Sequence, residues 1–282
     1  MHLFIRIAAA VLVLAAPALA VAQQRPLVTE DPETVGAGRL LLEVGFDHGR
    51  DIAFPASGLE GRLTRLPLVG VSIGISSIAE IQIDAGFHNR LRITGREPAA
   101  LSHMLDVSGD RTTDIDDIVF GTKVRLLSET AGRPALGFRF ATKLPNAGNE
   151  SGLGLDTTDF LASVLVGKTV QSIRVVGNVG VGILGDPTRG DRQNDVITYG
   201  LSLARAVSEA AEVVAEINGR ADTRAGEPPP GTESRSVLRF GARYTIGGWR
   251  ADAALLVGAT SPDADFGVTG GFTYVFDAFR IP

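Results

Sequence analysis

The chain has 282 residues, a formal net charge of -5 and no cysteine. That excludes a disulfide framework, thiolate metal sites and thiol chemistry, and it leaves no electrostatic footprint for nucleic acid. The 34 glycines are interleaved with β-forming and charged residues, which disfavours both a helical bundle and a disordered chain.

Residues 1–22 read as a secretory signal peptide. Arg6 supplies the basic end, Ile7 to Ala16 the apolar core, and Pro17 to Ala20, or Ala20 to Ala22, the small-residue cleavage site. Beyond residue 22 no uncharged apolar run approaches the ~18 residues of a membrane helix. Residues 23–38, with Pro26 and Pro32, read as a periplasmic N-terminal segment; the sequence leaves open whether it plugs anything downstream.

From residue 39 onward, period-two alternation dominates, which means strands with two unlike faces. In the first strand, Leu40, Leu42, Val44 and Phe46 oppose Arg39, Glu43 and Asp47. The second, 65–76, sets Val69, Val71 and Ile73 against Gly70, Ser72 and Gly74. The third sets Ile81, Ile83, Ala85 and Phe87 against Glu80, Gln82, Asp84 and His88. Nine more follow near 114–127, 136–143, 158–168, 173–183, 196–204, 212–220, 238–244, 249–258 and 266–276.

Twelve antiparallel strands are thus expected, with connections that alternate long and short. The long ones are expected at 50–64, 89–113, 144–157, 185–193, 222–234 and, least clearly, 260–264. That alternation, with both termini on the side of the short turns, is the pattern of a transmembrane β-barrel. A soluble barrel would carry the same alternation turned inside out. Twelve strands enclose a lumen too wide to fill with Val and Ala, so the apolar face is expected outside. Aromatics near strand ends (Phe46, Phe87, Trp249, Phe266, Tyr274, Phe276) fit interfacial girdles. The expected fold is all-β, a single barrel over 39–282.

Three stretches also carry a resemblance. They are Arg25 to Gly38, Lys143-Leu-Pro145 before a Gly-rich loop, and Gly154 to Asp159 entering a strand. Together they resemble the outer-membrane proteins of the MetA-pathway of phenol degradation. The resemblance implies an outer-membrane barrel that moves small hydrophobic or aromatic compounds, and it carries over no catalytic residue. One departure is the C-terminus: Phe276 and Phe279 are followed by Arg280-Ile-Pro282, where many such barrels end on an aromatic residue.

The candidate lumen-lining residues are Glu43, Glu80, Asp84, Lys123, Arg125, Arg139, Arg174, Glu216, Arg220, Arg239, Arg243, Arg250 and Asp252, with Arg39, Asp47, Asp117, Lys143 and Glu212 on the same face. Such charges either set the selectivity of a pore or form a cross-strand ion-pair network that stiffens the wall. Asp110, Asp114, Asp116 and Asp117 lack the spacing of a calcium loop and read as a solvated loop edge. The segment Gly177-x-x-Gly180-x-Gly182 lies within a strand, without the helix that a nucleotide fingerprint needs. His48 and His103 fall in expected extracellular regions and His88 on the lumen face, with no Gly-x-Ser-x-Gly element.

No catalytic residue, cofactor or metal is expected. The expected partners are outer-membrane lipid, a small-molecule permeant and the outer-membrane assembly machinery. The leading reading is a channel, the alternative a structural or adhesive barrel, and the third an outer-membrane lipid hydrolase.

Overall fold

The computed structural model describes residues 24–280. The expected signal peptide and the last two residues lie outside them. The described residues form fourteen strands: β1 (Arg39–Phe54), β2 (Leu59–Gly74), β3 (Ala79–Gly86), β4 (Asn89–Arg96), β5 (Arg111–Asp114), β6 (Val119–Leu127), β7 (Ala135–Lys143), β8 (Asp159–Val170), β9 (Ile173–Gly185), β10 (Gln193–Ala206), β11 (Ala211–Asp222), β12 (Arg235–Ile246), β13 (Trp249–Gly258) and β14 (Phe266–Asp277). Neighbours pair antiparallel, and β1 pairs with both β2 and β14, which closes the ring.

The ring has twelve staves, because two of them are interrupted. β3 and β4 lie end to end along β2, which pairs through 68–74 with β3 and through 59–65 with β4. Likewise β6 pairs with β3, and β5 with β4. The interruption falls at Pro67, which has no N–H to give to the ladder. Across it the parity of the faces changes: Val69 and Val71 face outward below, Arg62 above.

Two expected loops are therefore strands. Most of 50–64 belongs to β1 and β2, whose connection is only 55–58, and 89–113 contains β4 and β5 around a short 3-10 turn at Ser102–Met104. Their alternation is real (Arg62-Leu-Thr64, Arg90-Leu-Arg92-Ile93), but its outward members are arginines and threonines. These strands extend the barrel past the apolar belt, so they read as polar connections. The shift at 87–88 also corrects His88, which is exposed on the outer side with His48 rather than in the lumen.

The wall is apolar outside and polar inside. Val181, Leu201 and Leu255 are 56%, 49% and 50% exposed, whereas Glu80 and Lys123 are 0% exposed. Phe266 and Phe276 stand ten residues apart on the outer face of β14. That spacing is about 33 Å of strand, or roughly 25 Å of height at the usual tilt, the thickness of an outer-membrane apolar band. At the lower margin Trp249 stacks on Tyr274 with centroids 4.3 Å apart, and Tyr274 on Phe276 at 5.5 Å.

Candidate functional site: the lumen and the segment inside it

Residues 24–38 run inside the barrel, around the end where β1 begins. The segment has no periodicity of its own, so its backbone groups must find partners in the wall. Glu216 of β11 accepts from the Val28 N–H (3.0 Å) and from the N–H and hydroxyl of Thr29. Asn178 of β9 accepts from the Glu30 N–H (2.7 Å) and donates to its carbonyl (2.8 Å). Glu80 of β3 accepts from the Val35 N–H at 2.7 Å. At the start of the segment, Arg243 of β12 donates to the carbonyls of Gln24 (2.6 Å) and Arg25 (2.8 Å).

Charge complementarity follows the same path. The acidic run Glu30-Asp31-Pro32-Glu33 meets the basic staves β6, β7 and β9. Lys123 lies 3.3 Å from Glu30 and 3.0 Å from Glu80, Arg139 lies 3.0 Å from Glu30, Arg174 lies 2.7 Å from Asp31, and Arg125 pairs with Glu33. On the opposite side Arg25 faces acids: Asp252 at 3.5 Å and, through its backbone N–H, Glu43 at 3.3 Å. Burial alone would raise the Glu30 pKa, but Lys123 and Arg139 outweigh it and hold the carboxyl below its ordinary value.

Small residues make the seat. A Cβ on Gly200 of β10 would stand 2.6 Å from the Thr29 hydroxyl, and one on Gly137 of β7 would stand 3.1 Å from Pro32 Cβ. A side chain at Gly200 would have to displace the segment.

Above the segment lies a cavity of about 500 Å³, lined by Leu27, Val28, Asp84, Lys143 and Arg239 among others. A second cavity of about 230 Å³ lies nearer the long loops, against Phe54, Leu63 and Leu153. Both are lined by Asp47, Arg65, Asp116 and Arg239. Arg65, on β2, stands between the two carboxylates, 3.9 Å from Asp47 and 3.8 Å from Asp116. At the far mouth Leu59, Leu63 and Leu91 form a buried apolar cluster with Leu105 and Leu153 from the loops packed on it.

The remaining candidate residues fall into local pairs. Arg239 lies 3.2 Å from Glu216, Arg139 4.0 Å from Asp84, and Arg243 and Arg250 lie 3.9 and 3.8 Å from Glu212. Arg220 is not in an ion pair among the described residues; it donates to the carbonyls of Glu233 and Gly231 in the 223–234 loop. Arg39 lies 3.7 Å from Asp277 at the barrel's lower end. Lys143 bridges Asp117 (2.8 Å) and Asp159 (3.1 Å).

Within the aspartate cluster Asp110 is exposed, as a solvated edge requires, but Asp114 and Asp117 differ from one. Asp117 accepts from the N–H groups of Asn146 and Ala147, and Asp114 from Gly148 N–H and Ser151 Oγ. These carboxylates pin the 144–158 loop over the open edge of β5. Sequence reasoning missed the segment's own residues, Arg25, Glu30, Asp31 and Glu33. The available signal was their charge: an acidic run in a chain whose lumen face is rich in arginine.

The chain matches no protein-family model and no curated protein. Its fold is similar to that of the COG4313 outer membrane channel from Pseudomonas putida F1, with 13% identity and a TM-score of 0.61 over 87% of this chain and 98% of that one. Weaker likenesses are to LpxR from Salmonella typhimurium (14% identity, TM-score 0.47, 84% and 100% covered) and to the Pseudomonas putida toluene transporter TodX (10%, 0.37, 86% and 89%). At these identities the likeness is one of fold.

Proposed function

We propose that the chain is an outer-membrane channel for small molecules, gated at its periplasmic half by its own residues 24–38. The observation that carries this reading is the inside-out wall: an apolar exterior of membrane height around a charged, cavity-bearing lumen. Charges at the bilayer midplane of such barrels cost about 2–4 kcal/mol each for Arg or Lys, so their confinement to the inner face fits a lipid-facing exterior. A cavity of about 500 Å³ has the size of a small-molecule site. That the permeant is hydrophobic or aromatic rests on the MetA-pathway resemblance alone.

The second reading, a barrel that transports nothing, is favoured by the filled lower lumen and the apolar cluster at the upper mouth. Swelling of liposomes that contain the full chain separates the two. Solute entry that accelerates when residues 24–38 are removed supports the channel. A folded, inserted barrel that admits nothing in either form supports the second reading.

A further inference from the structure

The outer face carries a feature that a channel does not need. Where β2, β4 and β5 extend past the apolar belt, the register sets Arg62 opposite Arg92, and Arg92 opposite Arg111. Arg90 lies in the adjoining row, between Thr64 and Thr113. All four arginines are exposed, whereas Leu63, Leu91 and Thr112 between them point inward and are buried. With His48 and His88 they line an outward concavity of about 460 Å³.

Like charges directly opposite one another on a sheet face repel. The lumen charges of this barrel are mostly paired, but these are not. Among the described residues Arg111 alone of the four has an ion-pair partner, Asp110 at 3.9 Å, and both of those side chains are more than half exposed. Glu60, also exposed, lies two residues from Arg62. The patch also touches the apolar belt directly. Leu66, 53% exposed, lines the same concavity, and Phe87, 58% exposed, precedes His88.

An occupant must therefore present anionic groups above an acyl body that lies against the wall. Arginine holds phosphate bidentately, so phosphates suit the row better than diffuse charge. We propose that Arg62, Arg90, Arg92 and Arg111 form a site for the phosphates of an anionic, acylated lipid of the outer leaflet. This rests on the reading of the apolar wall as lipid-facing.

The test is native mass spectrometry of the detergent-solubilised full chain, titrated with lipid A (a bis-phosphorylated, multiply acylated glycolipid), with phosphatidylethanolamine, and with inorganic phosphate. Lipid A should be retained at a concentration at least about tenfold lower than phosphatidylethanolamine. The variant Arg62→Gln/Arg90→Gln/Arg92→Gln/Arg111→Gln should lose that preference while keeping heat-modifiable gel mobility. Should it fail to fold, Arg62→Gln/Arg92→Gln and Arg90→Gln/Arg111→Gln should each lose part of it. Equal lipid A retention by folded variant and parent overturns the site, as does displacement of lipid A by inorganic phosphate at matched phosphate concentration. Incorporation into vesicles, scored separately, tells failure of the site from failure of the membrane reading.

Discussion

The two halves of this lumen are built from the same staves and filled differently. In the half where β1 begins, the chain's own residues 24–38 supply backbone donors, carboxylates and a guanidinium to Glu216, Lys123, Arg174, Asp252 and their neighbours. In the half below the long loops, the wall is left with cavities and the loose Asp47–Arg65–Asp116 contact, closed at the mouth by Leu59, Leu63 and Leu91. A polar filling of this kind is exchangeable in a way that an apolar one is not. Hydrogen bonds and ion pairs to a tethered segment can be exchanged for water, whereas an apolar filling of the same volume could not be released into a wet pore.

The largest effect should come from Lys123→Met, which strands Glu80 in a buried site and leaves Glu30 with the Arg139 ion pair alone. Breaking a buried pair in this way costs about 3–5 kcal/mol. It should appear as a lower guanidinium midpoint for the barrel folded in vesicles. An unchanged midpoint would mean that the lower lumen is wet and the pairs are screened. In the upper half, Leu91→Ala should cost about 2–4 kcal/mol of local stability, read as faster hydrogen exchange in β4 with the lower staves unaffected. If both halves respond, the cluster and the segment are one cooperative unit and the contrast fails.

Glu216→Ala should cost about 1–3 kcal/mol by orphaning the N–H groups of Val28 and Thr29 and leaving Arg239 with Asn218 alone. The readout is protease cleavage between residues 24 and 38, which should rise while the barrel stays resistant. Acid should act more gently along the same route. The Glu30 carboxyl is held below its ordinary 4.5, so its contribution is complete above 4.5 and is lost as pH falls through the lower, folded-state value. Cleavage of the segment should therefore stay low from neutral pH down to 4.5 and rise below it. A rise that sets in above 4.5 would assign the release to another group.

The staves were legible because a buried polar face and an exposed apolar face impose a period of two, and stretches such as 173–183 show it without interruption. The extensions β4 and β5 were not, since their outward residues are arginines and threonines and a half-charged strand reads like a loop. The seated segment was less legible still. An extended chain has no period, and its partners lie far off in sequence, as with Arg25 and Thr269, 244 residues apart. Only after the barrel closes do Glu30, Lys123 and Arg139 meet. Individual lumen charges could be placed on a face from the sequence, but not paired with the N-terminal segment.

The most direct test uses the cysteine-free background and two neighbours on β10. Leu201 points outward, and Ser202 points inward, 4% exposed, on the stave that seats Thr29. Each would be replaced singly (Leu201→Cys, Ser202→Cys) in chain reconstituted in lipid, with and without residues 24–38, and treated with a water-soluble thiol reagent. Position 201 should stay silent in both forms, and position 202 should be silent in the full chain and reactive once the segment is gone. Labelling at 202 in the intact chain, or at 201 in either form, would contradict this arrangement.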